Sequence, residues 1–112
     1  MIMAFEITRH GARYGLHFDY FNETSPAWRP GELTQNGKRQ HYLIGSEMRN
    51  RYMVKNALLD PLRYRASEVY VRSTDRNRTI ESALSQLLGL YPLGHSLDDN
   101  QTSSALPTIS VS

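Results

Sequence analysis

The sequence predicts an α/β fold with a mainly parallel sheet, and three observations carry the prediction. A short apolar run at residues 2–7, bounded by turn formers, has the length and composition of a buried strand. A β-branched, alternating run at 68–72 reads as a second strand. Two segments with apolar residues at spacings of three and four, 33–52 and 76–90, read as helices. The stretch from the first strand through a helix to the second strand is long enough for a parallel crossover.

The first strand runs directly into Thr8-Arg9-His10-Gly11-Ala12-Arg13. In open α/β sheets ligands bind just beyond the carboxyl ends of strands. Gly11 permits a sharp turn and a close backbone approach. Arginine offers a planar fork of donors that matches phosphate oxygens. His10, set between Arg9 and Arg13, is therefore a candidate nucleophile held against a bound phosphate. The plain alternative is a basic turn on a domain surface.

From Gly15 to Gly31 the chain is aromatic and polar, with the turn formers Asn22, Pro26 and Pro30. It reads as a long loop, whose aromatics either shape a substrate entrance or pack the loop down. The first helix has Thr34 as N-cap, and His41, Ile44, Met48 and Tyr52 define its inner face. Gly37 and Gly45 lower helix propensity, so close packing against the sheet is their expected role. His41 reads as a packed core histidine. Residues 56–66 connect to the second strand.

That strand ends in a second constellation, Arg72-Ser73-Thr74-Asp75, with Arg78-Thr79 behind it. Ser73, Thr74 and Asp75 are N-cap candidates for the next helix. Ile80, Ala83, Leu84, Leu87 and Leu88 form its apolar stripe, and Gly89 and Pro92 its stop. A helix N-terminus offers free amides and a positive dipole end to an anion. If the strands lie parallel and close, Arg72 faces the ligand flanked by Arg9 and Arg13. Residues 1–96 then form one domain part, and 97–112 are an irregular tail or the approach to a further strand at Ile109-Ser110-Val111.

Composition narrows the classes. The chain has 112 residues, enough for one small domain or part of a larger one. A net charge of +2 is no strong footprint for nucleic acid or for a membrane surface. Without cysteine there is neither a disulfide framework nor a thiolate metal site. The four histidines, His10, His17, His41 and His95, form no helical ligand pair, so no metal is expected. No stretch has the length of a membrane span. The first apolar run is broken by Glu6 and lacks a basic leader, so it does not read as a signal peptide.

Arg9-His10-Gly11-Ala12-Arg13 resembles the signature of the histidine acid phosphatases, a branch of the histidine phosphatases. That branch usually has proline where Gly15 stands. The first helix also resembles the family, in Leu33-Thr34, Gly37, Gln40-His41-Tyr42, Leu43 and Arg51-Tyr52. So does Arg72-Ser73-Thr74-Asp75 followed by Arg78-Thr79. The blocks lie in family order and at family spacing from Phe5 to Pro92.

The resemblance implies the amino-terminal part of a three-layer α/β/α sandwich, phosphoglycerate-mutase-like. It implies a phosphomonoester hydrolase that needs no cofactor and works through a phosphohistidine on His10. Arg9, Arg13 and Arg72 would bind the phosphate. The family also takes a leaving-group acid from a His-Asp pair. Here the residues after the histidines are Gly11, Phe18, Tyr42 and Ser96, so no such pair occurs in these residues. Two other readings stay open. One is a non-catalytic phosphate-binding remnant. The other, more remote, is a nucleic-acid-binding module built on Arg63-Tyr64-Arg65, Tyr70, Arg72, Arg76 and Arg78. The family resemblance points to a lysosomal or secreted protein; the oligomeric state and the alcohol of the ester are not legible.

Overall fold

A computed structural model of the chain describes residues 3–15, 30–92 and 107–112. In chain order the elements are helix α1 (Gln35–Arg49), a π-helical turn (Asn50–Lys55), strand β1 (Val71–Ser73), helix α2 (Asn77–Leu90) and strand β2 (Ile109–Val111).

α1 starts where the sequence places it. Thr34 is extended, and its side chain accepts the amide of Gly37, satisfying one of the free donors of the first turn. Its buried face differs from the expected one. Gly37, His41 and Gly45 are buried, whereas Ile44 is exposed and Met48 and Tyr52 are half-buried. The cause is α2, which lies along α1 in the same direction: His41 meets Gln86, and Arg49 meets the carbonyl of Leu90. A Cβ on Gly45 would fall onto the carbonyl oxygen of Gln86, and one on Gly89 onto that of Tyr42. The glycines thus bring helix against helix rather than helix against sheet. Gly89 also lies inside α2, which runs on to Leu90, instead of ending it.

Two further contacts secure the far end of this pair. Arg49 donates to the carbonyl of Leu90 at 3.0 Å and to that of Pro61 at 3.2 Å. A cation placed by sequence at the end of α1 therefore caps α2, where the dipole favours it just as well. Beside it Met53, Leu87, Leu90 and Tyr91 form the buried core, with Leu59, Tyr64, Val69, Val71 and Ile109 packed against them. Tyr91 is fully buried, and its ring and that of Tyr64 meet edge to face at a centroid distance of 5.5 Å.

β1 and β2 pair in parallel, Val71 beside Ile109, Arg72 beside Ser110 and Ser73 beside Val111. The segment at 109–111 is therefore a formed strand. The expected first strand is corrected. Residues 3–7 make no ladder, and Phe5 and Ile7 are 83% and 85% exposed. An apolar run becomes a strand only beside a partner that takes its amides and carbonyls, and among the described residues none lies along it. The N-cap candidates Ser73, Thr74 and Asp75 are also corrected. α2 begins after an extended Arg76 without a side-chain cap, while Thr79 turns its hydroxyl back onto the carbonyls of Thr74 and Arg76. The aromatic loop at 16–29 and the tail at 93–106 lie outside the described residues.

Gly45→Ala should destabilise the chain even though alanine is the better helix former. The ~0.5–1 kcal/mol gained in propensity is opposed by a ~1–3 kcal/mol packing cost, because the obstructing atom is backbone. Urea unfolding should show a lower midpoint for the variant.

Burial pushes the Tyr91 phenol above its ordinary 10.0, and the negative charge of Glu68 adds to the effect. The folded state then holds a proton that the unfolded state releases. Stability is complete below the ordinary value and falls as pH rises through and beyond it. Urea midpoints measured from about pH 9 to 11 should fall more steeply for the wild type than for Tyr91→Phe.

Candidate active site

The loop at 9–13 is held by its backbone. The amide of Gly11 donates to Ser82 Oγ on α2 at 3.0 Å. The amide of Ala12 donates to Gln40 Oε1 on α1 at 3.0 Å. The carbonyl of Ala12 accepts both the amide and the hydroxyl of Thr34, at 2.9 and 3.0 Å. The carbonyl of Arg9 accepts from His41 Nε2 at 2.9 Å. Gly11 also lies against Gly37, where a Cβ would meet the Gly37 backbone, so the loop sits directly on the first turns of α1.

Beyond the loop the two sides of the chain stay together. Arg13 bridges Leu33 in antiparallel fashion, Tyr14 donates its amide to the carbonyl of Glu32, and Gly31 donates to that of Gly15. Gly31 does this at a φ of 73°, a backbone conformation open to glycine. The 9–13 loop thus lies toward the amino-terminal ends of two helices that run in the same direction. Those ends carry positive dipole charge and suit an anion.

His10 is half-buried, and its Nδ1 lies 2.8 Å from the carbonyl oxygen of Gly11. A carbonyl oxygen only accepts, so Nδ1 carries the ring proton. The lone pair of the neutral ring is then on Nε2, the atom farther from the backbone. That tautomer is the one a nucleophilic imidazole needs.

The candidate phosphate ligands are placed as follows. Arg9 is exposed, and its backbone carbonyl is held by His41. Arg13 is half-buried and donates one guanidinium nitrogen to the carbonyl of Tyr14 at 3.1 Å. Arg72, on β1, is exposed and donates Nε to Ser112 Oγ at 3.0 Å. Arg72 and the loop are joined through α2, which follows β1 and holds Gly11 at Ser82. Among the described residues none of these three arginines meets a carboxylate. Arg51, Arg63 and Arg65, by contrast, are each paired with Glu47, Asp60 or Glu68. Three cations that meet no acid among the described residues suit an external anion.

Among the described residues no group of acidic and histidine side chains is arranged to hold a metal. No helix of the described residues is long and apolar enough to cross a membrane.

The residues that motif reading missed are Ser82 on α2, which holds the loop directly, and Gln86 and Glu6, which bond to each other and, through Gln86, to His41. Ser82 is 3% exposed, and its hydroxyl donates to the Arg78 carbonyl at 2.6 Å while accepting from Gly11. The available signal was a polar residue falling on the buried side of an apolar helix.

Similarity to known proteins gives the family and the fold. The profile of the histidine phosphatase superfamily (branch 2) matches residues 16–110. The chain belongs to that superfamily. It is 43% identical over 89 residues to a lysosomal acid phosphatase of Xenopus laevis, a match covering 77% of this chain and 20% of that protein. It is 42% identical over 92 residues to the testicular acid phosphatase of Homo sapiens, covering 77% of this chain and 21% of that protein. The chain thus spans about a fifth of the length of these relatives.

In three dimensions it is similar to a phytase from Citrobacter braakii, with a TM-score of 0.61 and 24% identity over 74% of this chain and 23% of that one. It is also similar to a phytase from Hafnia alvei, with a TM-score of 0.59 and 21% identity over 92% of this chain and 24% of that one. These likenesses place the chain in the histidine phosphatase α/β fold.

Ser82→Ala should leave the Gly11 amide without its acceptor in a buried position, at a cost of ~1–3 kcal/mol. Chemical unfolding should report that loss, and amide hydrogen exchange should quicken at Gly11 ahead of the helix cores.

Proposed function

We propose that this chain is the phosphate-handling part of an acid phosphatase that hydrolyses phosphate monoesters through a phosphohistidine. The observation that carries the reading is the His10 ring, held by the Gly11 carbonyl in the tautomer that leaves Nε2 nucleophilic. In this reading Nε2 attacks phosphorus in line, the N–P bond forms, and the P–O bond to the alcohol breaks. Water then cleaves the N–P bond and releases phosphate. Arg9, Arg13 and Arg72 balance the charge on the phosphoryl oxygens, and the absence of a carboxylate partner for them among the described residues supports that role. Residues 1–96 would form the catalytic part, with β2 in the segment that follows.

The departing alkoxide needs a proton. The His-Asp pair implied by the family pattern does not occur in these 112 residues. General-acid help is typically worth ~10²–10⁴ in rate. A phenolate leaves without much help and an alkoxide does not. A nucleic-acid role fits the same residues less well, because Arg63 and Arg65 are drawn onto Asp60. The hydrogen bond from Arg65 and that from the Leu62 amide hold the Asp60 carboxyl below its usual range, so this acid stays charged beside them.

The test is to assay the purified chain at acid pH on 4-nitrophenyl phosphate and on glycerol 2-phosphate, beside His10→Ala. Slow turnover of the aryl ester, little of the alkyl ester, and loss of both in the variant are the expected results. Phosphate binding without any phosphohistidine would instead support the non-catalytic reading. Strong alkyl turnover abolished by His10→Ala would mean that another residue of the chain supplies the proton.

A further inference from the structure

Both peptide groups that flank His10 are tied to side chains. On its carboxyl side the Gly11 amide goes to Ser82. On its amino side the Arg9 carbonyl goes to His41 Nε2, 2.9 Å away, and His41 is only 2% exposed. That carbonyl only accepts, so Nε2 of His41 donates. The other ring nitrogen, Nδ1, faces Gln86 Oε1 at 3.0 Å. An amide oxygen also only accepts, so the two hydrogen bonds are made together by a ring that carries hydrogen on both nitrogens. Gln86 Nε2 in turn donates to Glu6 Oε2 at 2.7 Å and lies 3.0 Å from Met48 Sδ. A continuous chain of hydrogen bonds therefore runs from Glu6, three residues before Arg9, through α2 and α1, and back to the Arg9 carbonyl.

A core histidine satisfied for its own sake needs only some acceptor. This one takes the carbonyl that sets the peptide plane between the first phosphate arginine and the nucleophile. We propose that His41 is a positioning residue for phosphoryl transfer, locking the Arg9–His10 peptide, with Gln86 holding the His41 ring in place. The inference rests on the phosphohistidine reading of His10. Turning that peptide would swing the His10 ring and the Arg9 side chain together, and a displacement near 1 Å can cost about 10²-fold in rate. Bonds to the peptide groups on both sides of His10 resist that turn.

The test uses the whole chain and a phosphoryl donor that needs no leaving-group acid. Phosphoramidate transfers its phosphoryl group to Nε2 as its P–N bond breaks and ammonia departs, the nitrogen already carrying its protons. Single-turnover labelling of His10, followed by mass spectrometry, gives the rate and the half-saturating concentration. Circular dichroism gives the folded fraction.

His41→Leu should stay folded and be labelled ~10–100-fold more slowly at saturation, whereas His41→Gln, which restores a donor near the position of Nε2, should recover most of the rate. A folded His41→Leu labelled at the wild-type rate overturns the proposal, as do equal rates in the Leu and Gln variants. If His41→Leu does not fold, Gln86→Met decides. It keeps the volume and removes the hold on the ring, and a folded Gln86→Met labelled at the wild-type rate overturns the proposal.

A wild type that takes no label refutes the phosphohistidine reading instead. The positioning role is then read from backbone amide resonances. Those of residues 9–11 should shift in Gln86→Met and stay nearer the wild type in His41→Gln, while those of the α1–α2 contact stay put. Unchanged resonances at 9–11 in Gln86→Met overturn it.

Discussion

The close approach of α1 and α2 is the constraint on which the other contacts depend. At Gly45 and Gly89 each helix presses on the backbone of the other, with no side chain between. Helices usually pack with axes 8–10 Å apart, the distance being set by the side chains at the contact, and glycine on each helix lets the two backbones touch. Only at that spacing does His41 reach Gln86, and only then does Arg49 reach the last carbonyl of α2. The same spacing lets one short loop bond to both helices at once, through Thr34 and Gln40 on one side and Ser82 on the other.

The site that results is rigid in its backbone and open in its charges. The loop gives its peptide groups to buried Ser82 and His41, half-buried Thr34 and exposed Gln40, and an unmade bond at the buried ones costs more than a made one contributes. The arginine side chains of 9, 13 and 72 are spent differently: Arg13 and Arg72 rest on neutral oxygens, a backbone carbonyl and a serine hydroxyl, and none of the three meets an acid among the described residues. Opposite behaviour is seen at 60–68, where Asp60 and Glu68 gather two arginines on the surface. Exposed pairs of that kind contribute little to stability, so their effect is to quench charge locally. Basic residues close in sequence thus serve different ends according to whether a carboxylate lies within reach.

Much of this was legible before any coordinates. The helix at 35–49 follows from Thr34 and the spacing behind it, and the helix at 77–90 from apolar periodicity, while the strand expected at 68–72 forms only at 71–73, where β2 lies beside it. These are local signals, set within a turn or two of each residue. The expectation at 2–7 failed because strand formation is not local. Met3, Phe5 and Ile7 have a suitable composition, but among the described residues no ladder lies beside them. The inner face of α1 was misplaced for a similar reason. Ile44 is more hydrophobic than Gly45, yet the neighbour across the contact is a backbone carbonyl, which admits glycine and excludes a branched side chain.

What the sequence by itself determined is the inventory and order of the chemistry: a histidine between two arginines after the first apolar run, and a third arginine at the end of a strand and before a helix. Motif and spacing carry that information because the chemistry needs particular side chains, and side chains are written in the sequence. Only the tertiary structure decided which atoms hold His10, the proposed nucleophile. The Gly11 carbonyl selects the tautomer of His10, Ser82 takes one flanking peptide, and His41 takes the other across 32 residues of chain. Hydrogen bonds of that kind join groups distant in sequence, and their geometry exists only once two helices have met.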